Sequence, residues 1–294
     1  MIWSNLQGAG YFDGSSDLEG AFVVYLVRHG GSEMSVRARR HIKLFFNSDA
    51  LWRDRLESLI RLLERQEAFR PDRWGPSEPV RRPFSLEALP EMEKVWNKIH
   101  GIMFKRAKKP KFWLHNLWFT HLPHAPSDKF FGGVEDKFFK SPENVRAFLD
   151  FTKELFAWGD MLHGYACHRM EYEAKNVRVE EVWLGSHRMV SERALGINLY
   201  ECLPGIYWAN FFSKFYVDWF GEERVRSAPC YAQEKLAGGG VLLLTAASPL
   251  DYEKPEVHEL QQALIKHLGE DAFFSLAHPD RPCRTPFEYR KGAK

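Results

Sequence analysis

The sequence predicts an α+β fold: mixed or antiparallel sheet material with packed helices, and room for two similar halves. Three observations carry that expectation. Helical and strand-like segments alternate without the regular βαβ beat of a doubly wound sheet. The apolar runs are short and end in turn residues, as strands do. The 294 residues, 45% hydrophobic and 27% charged, suffice for a substantial core in one large domain or two small ones. The expected division is an N-terminal α+β half over 1–135 and a C-terminal α+β half over 136–294, which can also close into one compact domain. HLPHAPSDKFFGG (His121–Gly133) is the expected connection.

Residues 1–20 are rich in Gly, Ser and Asp and read as an irregular lead-in. Ala21–Val27 (AFVVYLV) suits a central strand. A helix is expected from Ser48 or Asp49 to about Phe69, with Leu51, Leu59, Leu62 and Leu63 on one stripe. Pro71 stops it. RPDRWGPSEPVRRPF must then be a loop, pinned to the core by Trp74. Ser85 can cap a helix to about His100. FWLHNLWFT, after the basic run Lys105–Lys111, reads as a strand covered on both faces.

In the second half, Ser141-Pro142 is a helix start, followed by Val145, Phe148, Leu149, Thr152, Leu155 and Phe156 as an apolar stripe and Gly159 as its stop. Residues 162–172 and 178–184 read as strands. Leu203–Tyr252 is the densest core stretch. Tyr207, Trp208, Phe211, Phe212, Phe215, Tyr216, Trp219 and Phe220 recur at mostly three- and four-residue spacing, which predicts a wide aromatic helix face. Gly238-Gly239-Gly240 then makes a tight turn into a buried strand, Val241–Leu244. Pro255 starts a last helix with Val257, Leu260, Leu264 and Leu268 inside and Gly269 at its end. The tail from His278 is expected to be unstructured or draped over the surface.

The formal net charge of +2 argues neither for nor against an anionic partner. Cys167, Cys202, Cys230 and Cys283 are far apart with no C-x-x-C pair, so reduced thiols are the simpler expectation. The N-terminus has no basic stretch followed by an apolar one, and no apolar run reaches the roughly 20 residues of a membrane span. A cytoplasmic protein follows from these readings.

The sharpest enzymatic signal is Leu26-Val27-Arg28-His29-Gly30 after a strand. It resembles the start of histidine phosphatases, where His is the nucleophile and Arg clamps phosphate oxygens. His187, in Gly185-Ser186-His187, would be the second histidine. A strand end with a solvated Arg and His accounts for the same residues. His121-x-x-His124 and the pair His163 and His168 have no carboxylate or thiol at zinc spacing, so no metal or other cofactor is expected. Asp218, Glu222 and Glu223 read as solvated charges at a helix end. The three glycines precede a strand, the wrong order for a phosphate loop. Lys105–Lys111 could touch phosphates, but one short basic run in a nearly neutral protein is an ordinary flank. The acidic residues Asp13, Asp17 and Glu19, and Glu171, Glu173, Glu180 and Glu181, would suit a basic partner such as a nuclease cleft if they shared a face.

Pro204-Gly205-Ile206-Tyr207-Trp208, Trp219-Phe220-Gly221, Gly239-Gly240-Val241-Leu242-Leu243-Leu244 and Pro249-Leu250-Asp251 resemble the C-terminal core of the immunity-protein-52 family. They also resemble the related type VI immunity family of bacterial polymorphic toxin systems. The resemblance covers about residues 195–275 and extends less distinctly from 141. It implies a cytoplasmic, non-catalytic protein that neutralises a cognate secreted toxin by binding it, with a nuclease-type effector as partner. Neither membrane nor direct nucleic-acid binding is expected. The residues expected to contact the toxin are Glu171, Glu173, Glu180, Glu181 and whichever of Tyr207, Trp208 and Tyr216 is exposed, because aromatic anchors within a polar rim concentrate binding energy. The alternative is a histidine-phosphatase-like phosphoryl hydrolase built on Arg28-His29-Gly30.

Overall fold

A computed structural model describes residues 40–48, 52–117, 128–184 and 187–287. The first part of the described chain contains β1 (His41–Ser48), α1 (Leu56–Arg65), β2 (Arg73–Gly75), β3 (Arg82–Pro83), α2 (Leu89–Ile99), β4 (Gly101–Arg106), β5 (Phe112–Leu117) and β6 (Asp128–Glu135). After it come α3 (Pro142–Trp158), β7 (Met161–His168), α4 (Arg169–Asn176), β8 (Val177–Leu184), β9 (His187–Ala194) and β10 (Ala209–Phe212). The last elements are α5 (Lys214–Phe220), α6 (Glu222–Arg226), β11 (Ala232–Lys235), β12 (Val241–Leu244) and α7 (Pro255–Leu268).

Among the described residues, ten strands form one antiparallel sheet in the order β11-β12-β10-β7-β1-β6-β5-β4-β2-β3. The fold is α+β. β1 is the hinge of the arrangement: it pairs with β6 on one side and with β7 on the other. Strand alternation sends Ile42, Leu44 and Phe46 to one face, where they join Phe130, Val134, Phe112 and Leu114 in the main core. The leucines of α1 (Leu59, Leu62, Leu63) and the Phe148, Phe151 and Leu155 stripe of α3 cover that face. On the opposite face Phe45, Tyr165 and Cys167 pack with Tyr172 of α4 and with Tyr207. Toward β12, Phe212, Val241 and Leu243 pack against Tyr216 of α5 and Leu264 of α7. Both faces are covered, which is why the strands carry apolar residues in both registers.

Several expectations hold. The Ser141 hydroxyl accepts from the Asn144 N–H at 3.3 Å and Pro142 opens α3. Gly159 ends that helix. Trp74 is fully buried. Gly238 and Gly239 take φ of +74° and +83°, conformations that L side chains rarely adopt, and the chain turns there into β12. α7 spans the expected fourteen residues.

Other segments differ, each for a physical reason. Ser48 ends a strand and does not cap a helix: HIKLFFNS is the central β1, and α1 begins at Leu56 after a short 3-10 turn at Arg53–Arg55. The expected connection His121–Gly133 contains most of β6, whose glycines Gly132 and Gly133 let the Trp113 backbone and indole approach closely. The strand expected over 162–172 ends at His168, whose imidazole Nδ1 accepts from the Met170 N–H at 3.3 Å and caps α4. The aromatic stretch is two elements: β10 alternates Phe211 and Phe212 between the two cores, and Ser213 then breaks into the seven-residue α5. Cys202 and Cys283 form a disulfide, where reduced thiols were expected. The strand proposed at Ala21–Val27 lies outside the described residues.

A separate two-stranded ribbon, β8 paired with β9, leaves the sheet after α4. No helix among the described residues is long and apolar enough to cross a membrane.

Candidate functional site

The acidic residues expected on one surface divide between the interior and the ribbon. Glu171 lies on the inner side of α4 and is 3% exposed. Its Oε1 accepts from Lys175 Nζ at 2.8 Å, one turn along the helix, and from Gln261 Nε2 of α7 at 2.8 Å. Lys175 also donates to the Ile206 carbonyl at 2.7 Å and to Gln261 Oε1 at 2.7 Å. Gln261 continues to Thr245, whose hydroxyl donates to the Tyr207 carbonyl at 3.1 Å. This network ties α4, α7 and the Pro204–Trp208 segment together across the core. Glu173 is half-buried and ion-paired with Arg169 at 2.7 Å. Glu171 is therefore internal and not a contact residue, since a carboxylate this deep must be paired to be tolerated; Glu173 keeps some surface, but its charge is held by Arg169.

Tyr207, Trp208 and Tyr216 are all buried, to 0%, 1% and 0% exposure. None offers a partner any surface. The Tyr207 ring stacks on Tyr165 with centroids 4.3 Å apart, and its hydroxyl donates to Asn176 Oδ1. Burial pushes its phenol well above the ordinary value. Trp208 donates through Nε1 to the Ala246 carbonyl at 3.0 Å and packs between Phe148 and Phe139. Tyr216 sits among Phe212, His163 and Phe220. The motif aromatics are scaffold.

Glu180 and Glu181, by contrast, are exposed on β8, beside Val179, which is 62% exposed. In register, Val179 faces Glu192, Glu180 faces Ser191 and Glu181 faces Val190 on β9. Arg178 lies 3.8 Å from Glu180, an exposed pair worth little to stability. Eight residues per strand give the ribbon a length of about 26 Å. Its base is fixed by Asn176, whose Nδ2 donates to the carbonyls of Leu195 at 3.0 Å and Pro204 at 2.9 Å, while the Leu195 N–H donates to the Asn176 carbonyl at 2.8 Å. An exposed apolar side chain flanked by charge, on a ribbon outside the main sheet, is a geometry suited to insertion against another protein.

The basic run makes a different feature. Lys105, Arg106 and Lys111, with Arg40, His41, Trp113 and Glu135, line a shallow cavity of about 350 Å³. Most of its charge is committed. Lys105 pairs with Glu78 at 3.4 Å, and Arg106 donates to the Arg70 carbonyl at 2.9 Å. The turn N–H groups of Ala107 and Lys108 donate to Asp72 Oδ2.

Arg28-His29-Gly30, His121, His124, Asp13, Asp17 and Glu19 lie outside the described residues, and only the backbone of His187 is described, at the start of β9. His163 and His168 are both buried in β7, one on each face; burial lowers both, His163 to about 3. Among the described residues no three His, Cys, Asp or Glu side chains group as metal ligands. Sequence reasoning missed Lys175 and Gln261, whose partners lie up to 90 residues away, and the Cys202–Cys283 pair, 81 residues apart.

No protein-family model and no curated protein matches this sequence. Among solved structures, the Pseudomonas aeruginosa T6SS protein PA0821 is similar, at 13% identity and a TM-score of 0.42 over 76% of this chain and 72% of that one.

Proposed function

We propose that this protein is a non-catalytic immunity factor that binds and neutralises a cognate secreted toxin of a type VI or related polymorphic toxin system. The sequence resemblance over about 195–275 supports the class. One structural observation supports the mode: the β8–β9 ribbon stands apart from the ten-stranded sheet and carries exposed Val179 beside exposed Glu180 and Glu181. The motif aromatics are internal, so the residues of the resemblance build the scaffold and the ribbon supplies contact. Val179 is the apolar anchor of that contact, with Glu181 as the charge on its own face and Glu180 on the other. A basic toxin surface would be steered toward those charges. With Glu171 internal and Glu173 already paired with Arg169, less acid is available for a strongly basic nuclease cleft.

Co-expression with the toxin encoded by the adjacent gene tests the reading. Wild-type protein should rescue growth and co-purify with the toxin. Val179→Asp and the double change Glu180→Lys with Glu181→Lys should fold normally yet weaken binding at least tenfold. A neighbour that is not toxic, or rescue undiminished by both ribbon variants, would remove the basis for the proposal.

A further inference from the structure

The strand edges of this protein are built differently. The ten-stranded sheet ends in β11 on one side and in β3 on the other. β11 is four residues long with Gln233, Glu234 and Lys235 exposed, and β3 is two residues long and ends in Pro83. Short strands, charge and proline keep other chains off a sheet edge. β8 is eight residues long, contains neither proline nor lysine, and pairs with β9 at eight consecutive positions without a bulge. Among the described residues no third strand joins that ribbon. Alternate residues of a ribbon strand direct their N–H and C=O groups away from the partner, in a row that another strand can bind. Of the two outer edges, β8 is the better template. Val177, Val179, Val182 and Trp183 are β-branched or aromatic, against Val190 alone in β9.

The exposed residues of β8 narrow the kind of contact. Alternation along the strand places Val179 and Glu181 on one face and Glu180 on the other. All three are exposed. A partner lying flat on one face of the ribbon would leave an exposed glutamate unused on the opposite face. A strand added beside β8 has neighbours on both faces at once, because its own side chains alternate in step. Antiparallel addition, the commoner pairing, sets a basic residue opposite each glutamate. It also sets an apolar residue opposite Val179 and an acidic one opposite Arg178.

We infer that the outer edge of β8 binds the partner by strand addition, and that the bound segment is an extended strand with two adjacent basic residues flanked by β-branched ones. Main-chain hydrogen bonds along the edge supply affinity, and the two glutamates select the basic pair. Taking that partner to be the toxin rests on the immunity reading; the binding edge rests on the ribbon alone.

The experiment has two arms, both on the full-length protein. In the first, the adjacent-gene toxin is bound and backbone hydrogen exchange is read by mass spectrometry. Exchange in Val177–Leu184 should slow on binding. Glu180→Lys and Glu181→Lys, made singly, should each weaken binding about tenfold while leaving the unfolding transition unchanged. Toxin bound with exchange in β8 unchanged, or binding that only one of the two glutamates affects, overturns the inference and leaves the immunity reading intact. The second arm needs no toxin. The capped peptide Val-Lys-Lys-Val-Glu-Val, which runs antiparallel opposite Val182 to Val177, is titrated into the protein. Its backbone N-methylated form, which cannot donate to the edge, is the control. Saturable binding that slows exchange in β8 and is lost on N-methylation is expected. No binding, or equal binding of the control, refutes the edge. Peptide bound at β8, with an adjacent-gene product that is neither toxic nor bound, keeps the edge and sinks the immunity reading instead. Exchange in β8 that slows with protein concentration alone, with a dimer in sedimentation, gives the edge to a second copy and overturns the inference.

Discussion

His163 offers a sharp test of how the second face of the sheet is built. It sits on β7 between Asn47 of β1 and Phe212 of β10, and it is fully buried. Its ring neighbours are Phe212 at 5.4 Å, Tyr216 at 5.9 Å and Tyr165 at 6.2 Å, none of them charged at neutral pH. Neither ring nitrogen has a hydrogen-bond partner among the described residues. Burial lowers the imidazole from its ordinary 6.5 to about 3. The folded pKa lies below the unfolded one, so the unfolded chain takes the proton first. Stability is complete above pH 6.5 and falls as pH drops from there toward 3. Between pH 7 and pH 4.5 that linkage removes about 2.5 kcal/mol. His163→Phe keeps a flat ring and cannot protonate. Urea unfolding followed by tryptophan fluorescence should therefore show the variant within about 1 kcal/mol of wild type at pH 7. Between pH 7 and pH 4.5 it should lose about 2.5 kcal/mol less. His115, also lowered by burial, to about 4, remains in both proteins and keeps some acid slope. Equal slopes in the two proteins would refute the argument.

Two further substitutions probe the packing. Lys175→Met strips Glu171 of its cation while Gln261 Oε1 and the Ile206 carbonyl each lose a donor, so about 3–5 kcal/mol should be lost in equilibrium unfolding. The double change Glu171→Leu with Lys175→Met should cost less than the single one, and a double variant less stable than Lys175→Met would show that the network is not a charge pair held by mutual need. Gly164→Ala would place a Cβ 1.9 Å from Phe46 Cδ1, on a ring already packed 5.6 Å from Phe156 and 5.2 Å from Phe211. About 3 kcal/mol should be lost by the same assay, and a cost near zero would mean that the Phe46 ring is free to move.

Much of this architecture was legible wherever local chemistry decided it. Ser141-Pro142 and Gly159 bracket α3 because a capping hydroxyl, a fixed φ and a helix stop act within a few residues. Val241–Leu244 and its glycine turn are equally local. β1 was missed because its determinants are distant. HIKLFFNS holds Lys43 and Asn47 on its second face, and only pairing with β6 and β7 makes that pattern a central strand. The aromatic stretch misled for a related reason. A strand alternating Phe211 and Phe212 between two cores, joined at Ser213 to a short helix, places aromatics at intervals that imitate one longer helix. Glu171 reads from sequence as one of an acidic surface cluster, yet Lys175 one helical turn on and Gln261 of α7, 90 residues on in the chain, hold it inside.

The same long-range ties connect the buried core to the exposed ribbon. Tyr207 stands in the aromatic motif, yet its hydroxyl donates to Asn176, the residue at the end of α4 from which β8 departs. Asn176 in turn donates to Leu195, where β9 returns, and to Pro204, where the motif begins. One side chain therefore joins both feet of the ribbon to the buried motif. Lys175, the residue before it, lies 5.0 Å from the Tyr207 ring centroid and donates to the Ile206 carbonyl. A ribbon held only at its tip side would sweep a wide arc and lose entropy on every encounter with a partner. One clamped at both feet meets it with its direction already set. The buried aromatics are thus more than filler: the Tyr207 hydroxyl helps fix the base from which exposed Val179, Glu180 and Glu181 project. The proposed contact residues and the scaffold are different residues, and Asn176 is where the two meet.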